Sequence, residues 1–442
     1  MNILKNARRI FSTAGASMTG GFGGGSGTLN FLAKWTPNGV TIGNSMIQDN
    51  GTSAWNYGAG AVTSNTAFGR DALIKNTIGS NNIALGFQSL NANTTGVNNS
   101  ALGANSLSFN TTGGYNAAVG QATLEVNTTG SELVAIGDGA LKSNTTASFN
   151  VAVGSNALRD NTTGASNVAI GRESMIVNTT GNGSVGIGLS ALSGNTTGGF
   201  NVAIGQQSKI SGAASDYTVS VGYQSAYSST GSNDTAIGAF AMKQKTTGNN
   251  NAVFGYDALS SYVGGYSNNT VVGASAMGSA TTKLGNNVAI GYQSLYYNEG
   301  ANQIAIGYRA AFNTTLGANN TIIGFESLFN GTTAGNNTTL GYNTLNALTT
   351  GDDNVAIGDN AAGGILTTGN KNTFIGSSVA VTNAGDSGNV VLGYGATATG
   401  SNQFVVGSAG TNAGAITVEA VTSDETWTVI INGVQKKILL KA

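Results

Sequence analysis

One period dominates this sequence and leaves few folds open to it. The phrase Asn82-Ile83-Ala84-Leu85-Gly86-Phe87-Gln88-Ser89-Leu90-Asn91-Ala92-Asn93-Thr94-Thr95-Gly96 is written again and again. Its anchor glycine, Gly86, belongs to a series running from Gly69 through Gly103, Gly120 and Gly137 to Gly222 in unbroken steps of 17 residues. The series continues from Gly238 to Gly393 in steps of 16 to 18, and once more at Gly407. A period this short means a solenoid, in which each repeat is one coil and buries its apolar face only against its neighbours.

Counting from the anchor glycine defines the coil. The residue before it is large and apolar, as in Phe68, Leu85, Leu102, Val119 and Ile136, and two residues further back the choice recurs in Val134, Val151, Val168 and Val202. Between them stands a small residue, Ala67, Ala84, Ala101, Ala118 or Ala135. Period-two alternation reads as a strand with one bulky and one methyl-sized face. A second, shorter strand is expected after the glycine, through Ala72-Leu73, Ser89-Leu90 and Ala140-Leu141. Asn93-Thr94-Thr95-Gly96 and its copies then turn the chain, because Asn side chains bond local backbone and glycine accepts positive φ. The expectation is two strands of about five residues and two turns per coil. Coils stacked at about 4.8 Å would give a rod on the order of 100 Å long. Helix is a poor alternative, since 68 of the 442 residues are Gly, and each interior Gly costs a helix roughly 1 kcal/mol.

Composition removes most chemistry. The chain has no cysteine and no histidine, so disulfides, thiolate sites, imidazole bases and Ser-His-Asp triads are all impossible. Charged residues make up 8% of the chain against a usual level of about 25%, and the net charge is -1. No electrostatic footprint for nucleic acid or an acidic membrane follows, and no cofactor or metal is expected. Gly181-Asn182-Gly183-Ser184-Val185-Gly186 matches a dinucleotide-binding pattern on paper, but its glycines belong to the repeat and no helix is expected after it. The Asn-Thr-Thr triplets resemble N-glycosylation acceptors, yet their recurrence once per coil is explained by turns and stacked amide ladders. Carboxylates are the only candidate catalysts. Asp352-Asp353 and Asp424-Glu425 are adjacent pairs, and Asp138 and Asp359 each follow an anchor glycine. Neighbours on a strand point to opposite faces, so solvated surface charge accounts for them better than glycosidase work, and the chain reads as a binding protein and not an enzyme.

The termini depart from the repeat. Residues 1–28 divide into a basic apolar segment and the flexible linker Gly20-Gly21-Phe22-Gly23-Gly24-Gly25-Ser26-Gly27. Lys5, Arg8 and Arg9 interrupt the apolar run that a signal peptide needs. The remaining readings are a frayed terminus or a peptide that orders on a partner, with Ile3, Leu4, Arg8, Arg9, Ile10 and Phe11 as its docking residues. Residues 29–55 read as a β cap of short strands around Trp35, with Pro37, the chain's only proline, in a turn. The repeat shaft spans 56–411. It is least regular at Ser208 to Tyr217, Ser260 to Asn268 and Gly278 to Gly285, where drift within an array competes with binding loops. Residues 412–442 contain Trp427 to Leu440 with Asn432-Gly433 between two β runs, a hairpin expected to close the far end.

So narrow a coil has little interior, and the alanine face is expected to need a partner. Three parallel chains are inferred, each placing its small face against the others.

Two resemblances add to this. The Asn-x-Ala-Ile-Gly phrase, as in Asn167-Val168-Ala169-Ile170-Gly171 and Asn354-Val355-Ala356-Ile357-Gly358, resembles the head repeat of trimeric autotransporter adhesins. That implies a left-handed parallel β-roll wound as a trimer. Gly27-Thr28-Leu29-Asn30-Phe31-Leu32-Ala33-Lys34-Trp35, with Ile42 to Gly51 and the terminal Ile431-Asn432-Gly433 hairpin, is similar to the opening and closing phrases of bacteriophage tail fibres and related virion fibres. The expectation is therefore an all-β, left-handed parallel β-solenoid of about twenty coils, trimeric and hairpin-capped. Its expected role is a virion fibre, docked by its N-terminus on other virion proteins and binding a glycan or protein receptor on the host. A bacterial cell-surface adhesin and a capsid-decorating fibre without a receptor are the alternatives.

Overall fold

The computed structural model describes residues 64–244, 247–261, 265, 267–279 and 285–407, together with the strands Asn30–Lys34, Gly43–Asp49, Thr426–Ile431 and Val434–Leu439. The chain divides into two compact units, Met1–Ser184 and Val185–Ala442. Each unit contains a parallel β-solenoid, and no helix occurs among the described residues.

Within each unit, each coil contributes one strand of three residues to a parallel ladder in regular register. In the first unit, Val134, Ala135 and Ile136 pair with Val151, Ala152 and Val153 of the next coil, which pair in turn with Val168, Ala169 and Ile170. The second unit repeats the arrangement, as where Val202, Ala203 and Ile204 pair with Val219, Ser220 and Val221. The ladder reaches Phe404–Val406, so Gly407 does close a further rung.

The expected second strand takes another form. After each anchor glycine the backbone bonds rung to rung as a strand would, with Leu141 N donating to Ala157 O at 3.0 Å. Its conformation is nevertheless a chain of turns in which every second residue is left-handed, Asn156 at φ 55° and Leu158 at φ 53° among them. A left-handed L-residue costs roughly 1–2 kcal/mol. Here that residue is the coil's principal core side chain. Leu90, Leu107, Leu124, Leu141 and Leu158 are fully buried, and burial of a leucine, worth about 1.5–3 kcal/mol, offsets the strain. Only near the end of the ladder does this segment become a strand, where Ala380–Val381 pairs with Thr397–Ala398.

The anchor glycines are forced by contact as well as by angle. Gly154 has φ +133°, and a Cβ there would stand 2.6 Å from the carbonyl oxygen of Gly171 on the next rung. Only hydrogen fits between the two backbones.

Two buried amide columns complete the interior. In the first, Asn93, Asn110, Asn127, Asn144 and Asn161 each donate from Nδ2 to the Oδ1 of the asparagine one coil earlier, at 2.8–3.0 Å. Each Nδ2 also closes its own turn, as Asn93 does on Gly96 O at 3.0 Å. In the second, the backbone N of Asn99 donates to Asn82 Oδ1 at 3.0 Å, and that of Asn116 to Asn99 Oδ1 at 3.1 Å. Polar groups in so dry a space are tolerated where each finds its partner one rung away, as these asparagines do.

The alanine face does not point outward. Ala135 is fully buried inside its own coil, whereas Ile136 is 42% exposed. Alanine fills that place in most coils, and where it gives way to Val253, Val271, Ile322 or Phe374 the larger side chain is fully buried as well. This overturns the expectation that the small face meets other chains: it is already filled, and the bulky residues face solvent.

The two terminal strand pairs are antiparallel, Asn30–Lys34 with Gly43–Asp49 and Thr426–Ile431 with Val434–Leu439. The second pair flanks Asn432-Gly433, which itself lies outside the described residues.

Candidate binding surfaces

Two outward surfaces follow from the coil geometry. The first is the outer face of the strand ladder. Residues on either side of the buried alanine point out, giving a column with Leu102, Val119, Ile136 and Ile170 in the first unit and Ile204, Ile237, Phe254 and Val272 in the second, all exposed by more than a third. Covering one such side chain contributes roughly 1–2 kcal/mol at about 25 cal/mol per Å², once per rung.

The second surface is the turn segment after the anchor glycine. Its first, second and fifth residues face outward, since the third and fourth enter the core. In the first unit these positions hold charges in local pairs. Lys142 Nζ lies 3.3 Å from Glu125 Oε2, Arg172 Nε 3.7 Å from Glu173 Oε1, and Arg70 Nε 3.9 Å from Asp71 Oδ2. Arg159 is bound by Asp160 through Nε and Nη2 at 2.8 and 2.7 Å, and that hydrogen bonding raises its guanidinium pKa above the ordinary value.

In the second unit many of the same positions are aromatic, beside a charge pair in which Arg309 Nη1 lies 3.9 Å from Glu326 Oε1. Tyr292, Tyr308, Phe325 and Tyr342 stack in series with centroids 4.8–5.4 Å apart, and Tyr296, Phe312 and Phe329 form a second stack at 5.1–5.2 Å. Arg309 lies between the two, its Cζ 5.2 Å from the Tyr308 ring and 5.3 Å from that of Phe312, with Nε donating to Gln293 Oε1 at 3.0 Å. Earlier along this face the stack is interrupted and a cleft of about 210 Å³ opens, lined by Phe240, Lys243, Gln244, Tyr256, Asp257 and the Ser260-Ser261 pair.

The residues singled out from the sequence are distributed as follows. The docking candidates Ile3, Leu4, Arg8, Arg9, Ile10 and Phe11 lie outside the described residues, as do Asp424 and Glu425. Asp352 serves its turn, where its Oδ1 accepts from Gly335 N at 2.7 Å. The dinucleotide-like stretch leads into the strand Val185–Ile187 and not into a helix. Among the described residues, no group of three or more acidic side chains is placed to hold a metal ion, and no helix is long and apolar enough to cross a membrane. Of the irregular segments, Ser208 to Tyr217 carries Lys209 in the leucine column, fully buried, with Nζ donating to Ser229 O at 3.2 Å. Sequence reasoning missed the cleft. The available signal was the change from aromatic to small residues at Ala239, Ser260, Ala274 and Gly278, which is visible only once positions are aligned by coil.

No protein-family model matches this chain, and no curated protein matches it in sequence.

Proposed function

We propose that this chain is the subunit of a trimeric virion fibre that attaches a virus particle to its host by binding, without catalysis. The observation that carries the reading is the column of outward Leu, Val, Ile and Phe on both ladders, an apolar surface repeated at every rung. Identical chains laid parallel offer one another the same column with the same spacing, so three copies would cover it in register. The sense of winding would be left-handed, as the likeness to adhesin head repeats implies, and the terminal strand pairs would serve as caps. Assignment to a virus particle rests on the opening and closing phrases that resemble those of virion fibres, with docking through Ile3, Leu4, Arg8, Arg9, Ile10 and Phe11.

Sedimentation equilibrium of the full chain should give three times the 44.0 kDa chain mass, and a monomeric mass at micromolar concentration sinks the trimer. Replacing Ile136 and Ile170 together by Glu should shift the protein towards monomer. Antibody labelling of purified particles tests the location. Deleting the protein should abolish adsorption, and unchanged adsorption would favour a decorating fibre instead.

A further inference from the structure

The turn face of the second unit contains a concave place among its described residues, and its origin is legible. Where tyrosines and phenylalanines fill the outward positions, ring lies on ring, as between Tyr308 and Phe325 at an interplanar angle of 10°. Those faces are consumed by their neighbours. Around the cleft the flanking outward positions shrink to Ala239, Ala274, Ser260 and Gly278, and the face-to-face stacking gives way to Phe240 set edge-on between Tyr223 and Tyr256. Tyr256 there is 59% exposed and meets Phe240 at 79° with centroids 5.8 Å apart. Phe240 also meets Tyr223, with centroids 5.2 Å apart, so the aromatic surface left open to a ligand is that of Tyr256.

The polar lining narrows the ligand class. Lys243 Nζ sits 4.6 Å from the centre of the Phe240 ring and occupies that ring's face. With Asp257 beside it, the cleft's lining among the described residues holds one cation and one anion, which oppose each other's pull on a charged ligand. A phosphate or carboxylate would meet the Asp257 carboxylate. Gln244, Ser260 and Ser261 both donate and accept hydrogen bonds. An aromatic surface beside groups that donate and accept suits a sugar ring, which presents C–H bonds on its face and hydroxyls around its rim. The 210 Å³ volume has room for one such ring.

We infer that the cleft between Phe240 and Ser261 binds one uncharged pyranose residue of a host-surface glycan. The inference rests on the attachment reading above and supplies its receptor class.

The test uses the full-length chain on an array of neutral, amino, carboxylated and sulfated mono- to tetrasaccharides, followed by titration of the strongest neutral hit. Tyr256→Ala should weaken that hit about tenfold or more. Asp257→Asn, nearly isosteric and so expected to fold, should do likewise, since a lost hydrogen bond to a charged group has an effect of that size. Tyr342→Ala, outside the cleft, should leave affinity unchanged. Binding confined to acidic glycans, binding indifferent to both cleft substitutions, or no binding anywhere on the array would each overturn the assignment. Trimeric fibres found on particles but binding no sugar would remove this site alone, whereas sugar binding by a protein absent from particles would remove the virion reading alone.

Discussion

The two units share a scaffold and differ on one face. In both, glycines stack, alanines point inward and the strands pair in the same register. On the turn face, the first unit carries Lys142 with Glu125 and Arg172 with Glu173, while the second carries the stacks from Tyr292 to Tyr342 and the cleft at Tyr256. Their interiors diverge too. The asparagine column of the first unit, Asn93 to Asn161, is broken in the second, which keeps Asn195 and Asn298 but elsewhere places Ser229, Thr314, Leu348 and Leu366. The difference teaches that contact between rungs constrains the backbone, whereas side chains aimed away from the ladder, or able to fill their space in more than one way, are free to specialise.

The largest effect should come from the scaffold and be equal in both units. Gly154→Ala and Gly273→Ala each place a Cβ 2.5–2.6 Å from the next rung's glycine oxygen at a φ near +135°. Each should cost about 3 kcal/mol or more in chemical denaturation, from strain and overpacking together. A mild effect in one unit only would break the claim of a common scaffold.

The amide column comes next. Asn127→Leu removes the donor to Asn110 Oδ1 and the acceptor that Asn144 Nδ2 uses at 2.8 Å. It should cost about 2 kcal/mol even though Leu348 fits the equivalent place, because the first unit's neighbours are amides left unpaired. A neutral result would mean that the column is incidental.

Phe325→Ala, between Tyr308 at 4.8 Å and Tyr342 at 5.2 Å, should lower stability by about 1 kcal/mol, and a double-mutant cycle with Tyr342→Ala should show coupling. The smallest effect belongs to the first unit's charges. Lys142→Ala, with its side chain 47% exposed, should change stability by less than about 0.5 kcal/mol, and high salt should erase even that.

Much of the scaffold can be read from the residues alone. Gly86 and its copies set the coil, Ala84 and Leu85 mark the strand, and Asn93 with Gly96 marks the turn, because each position meets its own copy one rung away. The segment through Ser89-Leu90 is harder to read. Its apolar alternation looks like a strand, but alternate left-handed residues curl it inward, and nothing in a leucine's side chain signals positive φ. The direction of the alanine face was equally hidden. Alternation separates two faces without saying which encloses the core.

The sequence by itself determined the solenoid, its period and its chemical poverty, since repetition and the lack of His and Cys are properties of the chain's text. Only the tertiary structure decided which face is inside, which faces outward, and where a concavity opens. Those outcomes depend on side chains in different coils standing side by side, a juxtaposition that exists only after the chain has wound.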